Sequence, residues 1–144
     1  MKVLVLNGPN LNMLGIREPG LYGKGTYADL EAHVAADARR LGLDVEMRQT
    51  NHEGVLVDWI QQALGAFDAI VLNAAAYTHT SVAVLDALKA VALPTVEVHL
   101  TEPKEREEFR RVSFVGMVAR RTFSGLGFGS YTAALEYLAG DASM

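Results

Sequence analysis

The sequence predicts an α/β fold, a doubly wound parallel sheet of five strands in the order 2-1-3-4-5 with helices on both faces. Three observations lead there. Short β-branched runs alternate along the chain with longer stretches of helical period. The first four of those runs are strongly apolar, as strands covered on both faces must be. Successive runs are separated by single helical stretches, which call for right-handed crossovers between parallel strands. This is the flavodoxin-like arrangement.

In chain order, Val3 to Leu6 reads as the first strand. A 19-residue stretch, Asn7 to Gly25, then breaks the rhythm with five Gly and two Pro. A loop that long inside a compact domain reads as a binding loop or lid, here about residues 10–25. Thr26 with Asp29 three residues later resembles a capping box, and it opens a helix striped by Leu30, Val34, Ala38 and Leu41 that stops at Gly42. Leu43 to Met47 is the second strand. Thr50-Asn51 precedes the second helix, whose apolar stripe is Leu56, Ile60, Ala63, Leu64 and Phe67. Ala69 to Leu72 is the third strand. The third helix opens at Thr78 to Thr80, carries Val82, Leu85, Leu88 and Ala92 at helical spacing, and ends before Pro94. Thr95 to Val98 and roughly Arg120 to Phe123 complete the sheet, and a last helix starts near Tyr131. With no internal repeat, linker or low-complexity tract, residues 1–144 read as one domain.

Composition narrows the function. A chain of 144 residues and 15.6 kDa buries about two-thirds of its surface, enough for one core. The absence of Cys excludes disulfide scaffolds, thiolate metal centres and Cys nucleophiles. A net charge of -4 argues against binding a phosphate backbone. The apolar N-terminal run is too short for a signal peptide and no run reaches membrane length, so a cytoplasmic, soluble protein is expected.

In open α/β sheets ligands bind beyond the carboxyl ends of the strands, where the strand order reverses, here between the first and third strands. The polar residues of that edge can be read off directly. The first strand runs into Asn7-Gly8-Pro9-Asn10-Leu11-Asn12, the third into Asn73, and the fourth into Glu97-Val98-His99. Glu97 and His99, two apart on a strand, share a face, a pairing that fixes the imidazole tautomer and raises its basicity. His79 opens the third helix, and the long loop carries Arg17 and Tyr22. A phenol with pKa near 10 becomes a base only beside a cation, and Arg17 is the nearest one in sequence. Arg106, Arg110 and Arg111 interleave with Glu105, Glu107 and Glu108 at helical spacing, either a solvated ion-paired face or a source of one anion-binding Arg. Asp86 stands on an otherwise apolar helix, as the edge of an exposed stripe or as a partner for another subunit. Gly125-Leu126-Gly127-Phe128-Gly129-Ser130 lacks the last Gly of a dinucleotide loop and reads as a turn. A metal on His79, Glu97 and His99, giving a hydrolase, is a chemical alternative. A binding module for a small carboxylate or nucleotide is another.

The stretches Leu6-Asn7-Gly8-Pro9-Asn10-Leu11-Asn12, Arg17-Glu18-Pro19, Tyr22-Gly23, Asn51-His52-Glu53-Gly54, Asn73 through Ser81, Val96-Glu97-Val98-His99 and Arg106-Glu107-Glu108-Phe109-Arg110 follow one another in a familiar pattern. Taken together they resemble the type II 3-dehydroquinate dehydratases. The resemblance covers essentially the whole chain. It implies elimination of water from 3-dehydroquinate through an enolate to give 3-dehydroshikimate, in shikimate synthesis or quinate breakdown, without cofactor, metal or Schiff base. It also implies a dodecamer of four trimers. Tyr22 matches the base that removes a C2 proton beside the ketone, and Arg17 the residue that keeps that phenol ionised. Asn10 matches the amide that places a water against the enolate oxygen. His99, oriented by Glu97, matches the acid for the departing C1 hydroxyl. Asn73, His79 and Arg110 match ring-hydroxyl contacts, the amides of Leu100 and Thr101 the carboxylate cradle, and Asp86 a residue reaching in from a neighbouring subunit. Where such enzymes usually carry Ser-Asn, this chain has Thr101-Glu102. A charge at Glu102 about 6 Å from a bound carboxylate would repel it by roughly 3 kcal/mol at an effective dielectric of 20.

Overall fold

The computed structural model describes residues 1–16 and 25–142. Strands β1 (Lys2–Asn7), β2 (Asp44–Gln49), β3 (Ala69–Asn73), β4 (Thr95–Val98) and β5 (Arg121–Phe123) form one parallel sheet in the order β2-β1-β3-β4-β5. Side chains alternate across each strand, so two cores form, one on each face. Val3, Val5, Val71, Val96 and Val98 face helices α1 (Tyr27–Leu41) and α4 (Gly129–Ala142). Leu4, Leu6, Ile70 and Leu72 face α2 (Glu53–Ala63) and α3 (Val82–Val91). This two-sided burial keeps β1 apolar from Val3 to Leu6 and β3 from Ala69 to Leu72, whereas β4 carries the buried Glu97 and β2, expected to be covered on both faces, is an edge strand with no buried residue.

The predicted capping box is present: the Thr26 hydroxyl accepts from the Asp29 amide at 3.1 Å, and the Asp29 carboxylate accepts from the Thr26 amide at 3.0 Å. Gly42 closes α1 in the left-handed region, φ 69°.

Other boundaries differ from expectation for physical reasons. The apolar stripe of α2 continues in sequence to Phe67, but the helix ends at Ala63, and Gly65 at φ 80° turns the chain so that Phe67 reaches the core from outside the helix. The N-cap of α2 is His52, one residue past Thr50-Asn51, and the Thr50 hydroxyl accepts from its amide. The cap of α3 is Ser81, whose hydroxyl accepts from the Val84 amide at 2.9 Å. Thr78 and His79 belong instead to a 3-10 turn, Ala75–His79. The Arg-rich stretch after β4 is not a regular helix. It breaks into the short turns Pro103–Glu105, Glu108–Arg110 and Val115–Met117, the first led by a proline. The beginning of the long loop has structure of its own, a 3-10 turn at Leu11–Met13 with Leu11 and Leu14 buried. Arg17 and Tyr22 lie outside the described residues.

Candidate active site

β1 and β3 lie side by side, and the loops leaving them touch. The Gly8 amide donates to the Asn73 carbonyl at 2.8 Å, and a Cβ on Gly8 would stand 2.4 Å from the Ala74 carbonyl oxygen. Only glycine permits that approach. Beyond it opens a cleft of about 160 Å³ with Asn10, Asn73, His79, His99, Leu100, Thr101 and Arg110 in its wall. Seven of the residues expected at the site therefore meet in one place. Arg106 also lines the cleft, one of the three arginines left open by the sequence. Glu97 sits behind His99. Asp86 is exposed on α3 and does not line the cleft of its own chain.

Glu97 is almost wholly buried, and groups from several elements donate to its carboxylate. Oε2 accepts from His99 Nε2 at 2.7 Å, from the Thr78 hydroxyl at 2.9 Å and from the Ser113 hydroxyl, while Oε1 accepts from the Thr122 hydroxyl at 2.7 Å. Burial works to raise this carboxyl's pKa. The hydrogen bond and charge of His99, with the Ser113 and Thr122 hydroxyls, outweigh it and hold the pKa down at about 2. A carboxylate kept ionised fixes the proton of His99 on Nε2, which leaves Nδ1 as the nitrogen available to the cleft. His79 is oriented the other way round: its Nδ1–H donates to the Val112 carbonyl at 2.7 Å, so Nε2 is the free nitrogen. Burial lowers the pKa of His79, so at neutral pH that free nitrogen is an acceptor suited to a hydroxyl.

Asn73 is 3% exposed and held at both ends. Its Nδ2 donates to the Tyr131 hydroxyl at 2.9 Å and its Oδ1 accepts from the Ala75 amide at 3.1 Å. Tyr131 in turn donates to Asn7 Oδ1 at 2.6 Å from a fully buried position. Arg110 pairs with Glu107 at 2.6 Å and spreads over the Phe109 ring, so the ion-paired reading of the Arg-rich stretch and the cleft-lining one hold together. The Glu102 carboxylate accepts from the Ser124 hydroxyl at 2.5 Å and from the Lys104 amide at 3.2 Å, and Glu102 lines a neighbouring pocket together with His79, His99 and Arg110. Those bonds, Ser124 foremost, also lower its pKa.

Ser113 and Thr122 were not singled out by the sequence. Thr122 was within reach of it, because parallel pairing sets Thr122 opposite Glu97. Ser113 was not, because no periodicity governs its segment. Among the described residues no group of three His, Asp or Glu side chains is placed to hold a metal ion. The chemistry this arrangement supports is acid–base: an oriented imidazole, amides and two arginines lining one cleft, the last suited to an anionic ligand.

The model of the class II dehydroquinase family matches residues 1–139. The chain is 52% identical over 138 residues to a 3-dehydroquinate dehydratase of Phenylobacterium zucineum, covering 96% of this chain and 95% of that one. It is 54% identical over 137 residues to 3-dehydroquinate dehydratase 2 of Pseudomonas putida, covering 95% and 92%. Among solved structures, a type II dehydroquinase from Butyrivibrio crossotus superposes with a TM-score of 0.94 at 43% identity, covering 96% of this chain and 97% of that one.

Proposed function

The chain belongs to the class II dehydroquinases and is a hydro-lyase that dehydrates 3-dehydroquinate, and on that premise we propose how its cleft works. Tyr22, kept ionised by Arg17, removes the C2 proton beside the ketone. The electron pair moves onto the ketone oxygen as an enolate, which a water held by Asn10 stabilises. When the enolate collapses the C1–O bond breaks, and His99 Nδ1–H protonates the departing hydroxyl, so that one water leaves. Glu97 keeps the imidazolium oriented. Asn73, His79 and Arg110 bind the ring hydroxyls, and the amides of Leu100 and Thr101 take the carboxylate. No step asks for a metal or cofactor.

The observation that carries this reading is the 2.7 Å bond between His99 and an ionised Glu97, at the edge of a cleft that Asn10 also lines. The test is to mix EDTA-treated protein with 3-dehydroquinate and follow absorbance of the conjugated enone. Turnover is expected, and its absence would refute the proposed chemistry. Tyr22→Phe should lower kcat by about 10² or more with the fold intact, as loss of a positioned base does.

The proposal extends to the assembly, a dodecamer of four trimers in which Asp86 of one subunit completes the cleft of the next. It rests on the exposure of Asp86 and on apolar residues left uncovered nearby in the sequence and fold: Val82 is 51% exposed on the same helix, and Met117 is 62% exposed on a turn that packs against α3. A chain without cysteine needs no oxidising compartment, and we place the enzyme in the cytoplasm.

A further inference from the structure

Asn10 adopts the left-handed backbone conformation, φ 71°, at the head of the Leu11–Met13 turn, and its side chain does not cap that turn. The amide is therefore not consumed by its own loop. Its direction depends on a left-handed backbone conformation that Asn enters more readily than most residues but leaves for other basins unless it is held there. It is held there by the end of β2 and the turn that follows it. The Asn10 backbone N–H donates to Asn51 Oδ1 at 3.0 Å. Gln49 Nε2 lies 3.1 Å from that same Oδ1, 3.1 Å from the Gly8 carbonyl and 3.3 Å from Asn12 Oδ1, so one side-chain amide braces the loop before and after Asn10. The Asn51 carbonyl accepts from the Tyr77 hydroxyl at 2.8 Å. Tyr77 stands in the Ala75–His79 turn, which carries His79 into the cleft. Asn51 thus ties the two walls of the cleft together, although it does not line the cleft itself.

We propose that Asn51, braced by Gln49, is a positioning residue for the reaction: it locks Asn10 in the left-handed conformation that aims its amide at the enolate. This rests on the role proposed above for Asn10. A displacement of a few tenths of an ångström to 1 Å at such a group is enough to cost about tenfold or more in rate.

A kinetic double-mutant cycle tests it. Asn10→Ala should lower kcat. Asn51→Ala should lower kcat about tenfold with KM within about twofold, and the double variant should be no slower than Asn10→Ala alone, because a residue acting through Asn10 has nothing left to position. Gln49→Glu keeps the shape but sets an acceptor against three acceptors, and should reproduce the Asn51→Ala loss without adding to it. In a crystal structure of Asn51→Ala, Asn10 should have left the left-handed region. An Asn51→Ala penalty that persists in full in the Asn10→Ala background, or an unchanged kcat, would overturn the proposal. If Asn10→Ala itself leaves kcat unchanged, the role of Asn10 falls and the proposal falls with it, a result distinct from the first two.

Discussion

Glu97 is held charged inside the protein because everything around it donates. Removing such a charge from water costs several kcal/mol unless hydrogen bonds replace the lost hydration, and here an imidazole and three hydroxyls do so. The pH dependence follows from the lowered pKa. The carboxyl has a folded pKa of about 2 against an ordinary 4.5, so its contribution to stability is complete above pH 4.5 and is lost as the pH falls toward 2. Glu97→Gln should melt at a lower temperature than the parent near neutral pH, and the gap should narrow between pH 4.5 and 2. A gap that stays constant over that range, followed by circular dichroism, would refute this account. Glu102 yields a prediction of another kind. Its carboxylate is bound to Ser124 and to the Lys104 amide, and it lines a pocket together with His79, His99 and Arg110. Glu102→Asn should lower KM in steady-state kinetics, because a carboxylate held beside the cleft repels an anionic substrate, and an unchanged KM would refute that repulsion.

The elements carry their instructions locally, and the capping box of α1 is the plainest case. Thr26→Ala removes the acceptor for the Asp29 amide and should cost about 1 kcal/mol in urea unfolding, with kcat unaffected. Signals of this local kind were the legible ones. Four apolar runs, the Thr26 cap and Gly42 place most of the sheet and α1 within a residue or two of where they stand. β2 was read too short because its last residues, Arg48 and Gln49, are polar on an edge strand, where burial no longer enforces an apolar pattern. The Thr78 region resembles the start of a helix because hydroxyls cap helices. There the Thr78 hydroxyl is committed to Glu97, and Ser81 does the capping. The candidate site divides in the same way. Residues at strand ends, such as Asn73 and His99, follow from topology alone. Ser113 and Gln49 do not, because their importance lies in partners far along the chain.

At the scale of the molecule, a mildly acidic chain gathers Arg106, Arg110 and two histidines at one edge of its sheet, which is where an anionic substrate has to be met. Asp86 has no place in the cleft of its own chain, so a role for it requires a second chain. Light scattering should give about twelve times the 15.6 kDa of one subunit, and Asp86→Ala should weaken kcat/KM in the assembled enzyme while leaving the subunit fold intact. A monomeric mass with full activity would refute that arrangement. The buried bond from Tyr131 to Asn7 joins the last helix to the end of the first strand, and its consequence concerns time. During synthesis Asn7 emerges early and Tyr131 late. Until Tyr131 docks, Asn7 Oδ1 and Asn73 Nδ2 each lack one partner, and once buried such a group costs about 1–3 kcal/mol if left unmatched. A chain that stops short of α4 therefore lacks the one hydroxyl that ties Asn7 Oδ1 to Asn73 Nδ2 across the ends of β1 and β3.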